Sequence, residues 1–258
     1  MTETHSVRHG YSDQELSRLL GLLEDADSVE LKLTVPDKGR RSAVAALEMD
    51  PLDATLHQIF FFETSDLLLD QHGVIVRARR GQGSEDDSVV KLRPVIPGEL
   101  PSDLRKLPGF AVEVDAMPGG FVCSGRLKKT HPRGRVKEVV GNERPLRSLF
   151  TKHQRAFFAQ HVPEGVGLDD LLVFGPITVL KLKFAPSGYD RRLVAELWNY
   201  PDGSRILELS TKCEPAEAFQ VAAQTRVFLH ERGIDLAGEQ QTKTKAALEF
   251  FSKDVRAE

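Results

Sequence analysis

At 258 residues, with 40% apolar and 28% charged side chains, the chain is long enough for one sizeable core or two small domains and has an ordinary soluble composition. A formal charge of -3 argues against general affinity for nucleic acid while leaving room for a local basic cavity. No segment approaches the roughly 18 apolar residues of a membrane span, and residues 1–10 lack a signal-type apolar stretch. Two cysteines, Cys123 and Cys213, are too few and too far apart for a zinc motif and suit a reducing compartment, so a cytoplasmic protein with no membrane partner is expected.

In chain order, Ser12-Asp-Gln-Glu15 is a capping box ahead of Leu16, Leu19, Leu20 and Leu23, which predicts a helix before a first strand over 29–35. A polar loop follows at 36–41, then a strand at 58–63, then a short helix through Leu67–Leu69 capped by Thr64 or Ser65 and closed by Gly73. Strands 74–80 and 88–93 form a hairpin, and 110–117 and 121–127 another, turned by Pro118-Gly119-Gly120. The apolar period changes over 144–161, predicting a helix there. Strands 177–184, 192–200 and 205–213 follow, the last two joined at Pro201-Asp202-Gly203-Ser204, and helices 214–232 and 239–251 end the chain.

Across these strands charged residues recur two apart. The basic pairs are Arg77 and Arg79, Lys91 and Arg93, and Lys181 and Lys183, and an acidic pair is Glu113 and Asp115. Ser28, Glu30 and Lys32, and Glu208, Ser210 and Lys212, keep the same spacing. Strand side chains alternate, so each set shares one face, with Val29, Leu31 and Leu33 expected to pack outward while Glu30 and Lys32 face inward. Such a face either meets water or lines an enclosed site for a polyanion. Eight or nine strands with one charged face satisfy their edges best by closing into a barrel, whose charged interior then implies a wet cavity or a bound ligand.

The ordered motifs resemble the CYTH domain of the triphosphate tunnel metalloenzymes. Glu30 and Lys32 match two positions of its opening Glu-x-Glu-x-Lys, and Phe62-Glu63-Thr64-Ser65-Asp66, Gly73 and Val76-Arg77-Ala78-Arg79 follow its next segment. Lys91-Leu-Arg93, Glu113-Val-Asp115, Lys181-Leu-Lys183 and Glu208-Leu-Ser210 complete the match over about 28–213. The resemblance implies an α+β protein: an eight-stranded antiparallel β-barrel, the triphosphate tunnel, with flanking and C-terminal helices. Residues 1–26 would be an N-terminal tail and helix, and 27–252 the tunnel domain with a helical insertion near 144–162.

By the same resemblance, Lys32, Arg77, Arg79, Lys91, Arg93, Lys181 and Lys183 would bind a triphosphate or other polyphosphate. Glu30, Glu113, Asp115, Glu196 and Glu208 would hold Mg2+ or Mn2+, with Glu30, Glu196 and Glu208 as the catalytic carboxylates. The implied function is metal-dependent hydrolysis of inorganic or organic triphosphates. Ser28 and Ser210 stand where the family has Glu, and the loss of two metal-binding carboxylates opens the alternative of a non-catalytic phosphate, polyphosphate or nucleotide binding module.

Other features have plainer readings. His5 and His9 are spaced for a metal but sit in a tail, Gly81 and Gly83 lack the third glycine of a phosphate loop, and Cys123 reads as a packed strand cysteine. The basic run 128–137 could touch nucleic acid or an acidic partner but is read first as an exposed loop, and Trp198 and Tyr200 are expected to be core or cross-strand residues or a stacking platform at a tunnel mouth.

Overall fold

Strand segments with one polar face leave two open edges unless the sheet meets itself, and here it does. The computed structural model describes residues 12–234 and 243–255, and its strands form a closed barrel. They are β1 (Ser28–Val35), β2 (Thr55–Glu63), β3 (Val74–Gly81), β4 (Asp86–Leu92), β5 (Phe110–Met117), β6 (Gly120–His131), β7 (Leu172–Phe184), β8 (Leu193–Asn199) and β9 (Arg205–Cys213). Around the barrel the order is β1-β5-β6-β4-β3-β2-β7-β8-β9, with β9 returning to β1.

The α+β barrel with flanking helices is as expected, but it has nine strands rather than eight and is not wholly antiparallel. β1 and β5 run parallel, placing Ser28 beside Glu113 and Glu30 beside Asp115. Closure explains this: neighbours around a ring cannot alternate direction throughout when their number is odd.

Helices cover the outside. α1 (Asp13–Glu24) begins at the expected Ser12/Glu15 capping box and buries Leu19, Leu22 and Leu23 against Val29, Leu31, Val112 and Val114. α2 (Arg40–Ala46), which starts at the end of the expected loop and continues into residues given no element from sequence, and α7 (Ala218–Glu231) place Ala43, Phe228 and Leu229 over Val35, Leu207 and Leu209, where Leu33 also packs. α3 (Leu68–Gln71) starts where the Thr64 hydroxyl accepts the Leu68 N–H, and α4 (Ser102–Arg105) is a single turn before β5. Gly73 ends the α3 turn at φ 70°; a Cβ there would lie 2.3 Å from the Arg93 carbonyl, so glycine is required where the β3–β4 pair closes.

Two expectations are corrected. The single helix over 144–161 is a 3-10 turn, Leu146–Leu149, followed by α6 (Lys152–Ala159), because Thr151 and Gln154 form a capping box that starts a new helix. The basic run 128–137 is the end of β6 followed by α5 (Arg135–Val140), with His131 buried against the Ser88 hydroxyl at 2.8 Å. Together α5 and α6 cover Phe60, Phe62, Val76, Val90 and Leu127.

α8 (Lys243–Val255) packs differently. Its Ala247, Leu248 and Phe251 meet Ile59, Phe61, Ile75, Phe174, Ile177, Val179, Trp198 and Ile206. Ile59 lies opposite Arg79 and Phe61 opposite Arg77 in the β2–β3 register, so this cluster belongs to the inner face and α8 closes one end of the barrel. Residues 59–62 accordingly read as continuous apolar sequence, because Phe60 and Phe62 face the outer helices while Ile59 and Phe61 face α8. The part of the expected last helix before Lys243, like His5 and His9, falls outside the described residues. No helix among the described residues is long and apolar enough to cross a membrane.

Leu69 of α3 is fully buried in the β2–β3–β4 core, whereas Leu52 is 91% exposed. Leu69→Ala is expected to lower unfolding free energy by about 2–5 kcal/mol in urea denaturation, and Leu52→Ala to change it by less than about 0.5 kcal/mol.

Candidate functional site: the charged barrel interior

Alternation along each strand turns the charged set inward. Glu30 and Lys32 face the interior while Val29 and Leu31 pack under α1, and Arg77 and Arg79 face it while Val76 and Ala78 pack outward. The spacing of two therefore encodes the lining of a tunnel, and Glu30 and Arg77 share its inner face.

The lining is ordered by ion pairs. Asp115, almost wholly buried, is contacted by Lys32 at 2.8 Å, Arg93 at 3.5 Å and Lys91 at 3.6 Å, and Lys32 also reaches Glu30 at 3.3 Å. Burial opposes the charged forms of Lys32 and Asp115, but their mutual attraction outweighs it, raising the Lys32 pKa and holding Asp115 below the usual carboxylate range. Lys91 goes the other way: burial, helped by Lys32 and Arg93, overcomes Asp115 and pushes its ammonium down to about 8. Arg79 meets Asp87 at 2.9 Å through Nε, and Lys128 lies 3.5 Å from the same carboxylate.

On the opposite wall, Glu196 and Glu208 stand directly across from each other on β8 and β9. Lys181 donates to Glu196 at 2.7 Å, and Lys243 of α8 lies 2.5 Å from Glu196 and 2.6 Å from Glu208. The Lys243 ammonium also sits 4.9 Å from the centre of the buried Trp198 ring, whose indole N–H donates to Glu196 at 3.2 Å. Trp198 is thus committed to this wall, and Tyr200 donates to the Lys243 carbonyl at 3.1 Å, so both are core residues. Glu113 is taken by Lys212 at 2.6 Å and Arg126 at 2.9 Å.

Of the residues read from sequence, Lys183 stands apart: it shares the Lys181 face but is exposed, at the strand end away from α8. Arg126, Lys128, Asp87 and Lys243 line the interior without having been assigned to it, and Lys212, placed on the charged face by its spacing, was given no role there. Arg126 and Lys128 carried the same two-residue basic spacing, which the expected strand end at Leu127 cut in half.

The carboxylates expected to hold Mg2+ or Mn2+ do not converge. Among the described residues no three carboxyl, imidazole or thiol groups are placed to hold a metal ion, and each expected ligand is answered by an ammonium or guanidinium instead. Ser28 and Ser210 lie beside Glu113 and Lys32 in register and add no charge. As placed, the donor set does not fit a divalent ion.

Cys123 is buried beneath α1, and burial pushes its thiol up to about 11, which removes it as a nucleophile at neutral pH. His57, 3.0 Å from the Thr55 hydroxyl, is lowered to about 4 by burial and by Arg79 and Lys181, so it is neutral at pH 7. A surface cleft of about 760 Å³ against α7, lined by Tyr189, Arg191, Gln220, Gln224 and Phe228, lies outside the barrel.

Glu113 sets a pH dependence. Burial alone would raise its pKa, but Lys212 and Arg126 lower it from 4.5 to about 2. A carboxylate depressed in the folded state adds stability that is complete above its unfolded pKa and is lost as pH falls through its folded pKa. Unfolding free energy is therefore expected to drop between pH 4.5 and 2, with Asp115 and Glu196 acting in the same direction and the burial-raised Glu208 against it. Urea titrations of Glu113→Gln should give a shallower drop across that window, and an unchanged slope would contradict the assignment.

No family model and no curated protein matches the chain by sequence. Solved structures do match it in three dimensions. A candidate adenylyl cyclase from Hippeastrum, described as having a dominant triphosphatase activity, is 17% identical, with 86% of this chain and 95% of that one aligned at a TM-score of 0.63. A candidate adenylate cyclase from Bacillus halodurans is 13% identical over 85% of this chain and 98% of that one, at a TM-score of 0.57. The chain has the CYTH-type tunnel fold that its strand motifs resemble.

Proposed function

We propose that the barrel interior binds a triphosphate, inorganic or organic, and that Arg77 is its central anchor. The observation that carries this is the Arg77 guanidinium: its Nε is buried in the tunnel, and it makes no hydrogen bond or ion pair among the described residues. Burial and the nearby Arg79 both disfavour its charge, with Asp87, Glu196 and Glu113 acting only at longer range. A half-buried guanidinium whose desolvated Nε meets no protein acceptor is left for an anion to complete. Around it the basic groups outnumber the carboxylates, and Arg93 and Lys91 make only long contacts to an Asp115 already held by Lys32. A compact chain of phosphoryl groups supplies several negative oxygens in the space available to such donors.

Hydrolysis is a second reading of the same site, favoured by the shared fold with the Hippeastrum protein and its triphosphatase activity. In that reading the basic strands orient and neutralise the chain of phosphates, while a divalent ion would stabilise charge developing on the transferred phosphoryl group. Ser28, Ser210 and the ion-paired carboxylates favour binding over turnover. Purified protein should therefore bind inorganic triphosphate with micromolar or tighter affinity and release phosphate slowly from it, from ATP and from thiamine triphosphate with Mg2+ or Mn2+. Rapid release from any of these would establish the hydrolytic reading instead.

Calorimetric titration with inorganic triphosphate separates the interior from the outer basic segment. Arg77→Ala and Lys91→Ala should each weaken binding by about 1.5–3 kcal/mol, as for charge-assisted bonds in an enclosed site. Arg133→Ala and Arg135→Ala, outside the barrel near α5, should change it little, and equal losses from both sets would indicate a surface polyanion binder.

A further inference from the structure

Glu196 and Glu208 are register partners on adjacent antiparallel strands, so their side chains leave the barrel wall side by side. Directly opposed like charges destabilise a strand pair, and inside a barrel water screens them poorly. The pair therefore needs a cation between its members. Lys243 supplies it, with its ammonium within 2.6 Å of a carboxylate oxygen from each glutamate.

Lys243 is the first described residue of α8. Its position is fixed by contacts: the ammonium packs on Trp198, Tyr200 donates to its carbonyl, and Ala247 and Leu248 are buried in the closed end of the barrel. The ammonium is delivered to the acidic pair by a docked helix, and the same docking closes that end.

We propose that Lys243 is a tethered cation that occupies the place between Glu196 and Glu208 where a divalent ion would otherwise bind, so that seating α8 excludes metal from the tunnel. One ammonium neutralises part of the charge that a divalent ion would neutralise and saturates the facing oxygens, and the Ser at position 210 withholds the further carboxylate that would favour the metal. The inference rests on the barrel interior being the functional site. It departs from the metal-loaded tunnel that the sequence resemblance implies: metal entry requires Lys243 to withdraw.

The test uses Mn2+ alone, followed by electron paramagnetic resonance, so that its outcome is independent of triphosphate binding. The unmodified protein should take up no Mn2+ at this pair. Lys243→Met, which keeps the stem that packs on Trp198 and removes the charge, should gain a Mn2+ site with a dissociation constant lower by roughly tenfold or more. Glu208→Gln added to Lys243→Met should abolish that site, and Lys243→Arg, which keeps the cation, should not create it. Circular dichroism and a cooperative melt establish that each variant is folded. A folded Lys243→Met that gains no Mn2+ site overturns the proposal. So does Mn2+ uptake by the unmodified protein that Glu208→Gln removes, a result that needs no lysine variant to fold.

Discussion

A barrel lined with charge holds together only if its interior ions answer one another, and the rest of this molecule follows from that requirement. Asp115 draws Lys32 from β1, Lys91 from β4 and Arg93 from just beyond β4, Glu113 draws Lys212 and Arg126, and Glu196 with Glu208 draws Lys243 from a helix. The strand-to-strand links cross the tunnel or join neighbouring strands, and so fix the register that hydrophobic packing outside alone would leave less strongly determined. The net bias of the interior ions is basic, and Arg77, which makes no hydrogen bond or ion pair among the described residues, marks where an anionic ligand would complete the set.

The outer surface of the barrel obeys simpler rules. Alternate residues such as Val29, Val76 and Leu127 lie under amphipathic helices, and their burial supplies most of the driving force for folding. The interior is then free to be polar, because stability does not depend on an apolar filling. α8 is the exception: it inserts apolar side chains against Ile59, Phe61 and Trp198 and makes the tunnel blind at that end. The opposite end carries the exposed Lys183 and Lys212 and the half-buried Lys128.

Much of this was legible in the sequence because it is local. The period of two in Arg77 and Arg79, Lys91 and Arg93, and Glu113 and Asp115 dictates a shared face, and the Ser12 capping box and the 201–204 turn dictate their elements. Depth along the barrel was not legible: Lys181 and Lys183 have identical spacing, yet one is paired with Glu196 and the other is exposed. Nor was Lys243, a single lysine on a helix whose partners lie 47 and 35 positions earlier in the chain, at Glu196 and Glu208. The strand count of eight came from the resemblance, whereas the residues themselves marked nine segments, which the barrel contains.

The most direct test of the account is a crystal structure of the protein grown with inorganic triphosphate. The account predicts phosphate oxygens inside the barrel within hydrogen-bond distance of the Arg77 and Lys91 side chains, with Lys243 still between Glu196 and Glu208. Triphosphate seated on the outer basic residues near α5, with the Arg77 guanidinium still unpartnered, would contradict it.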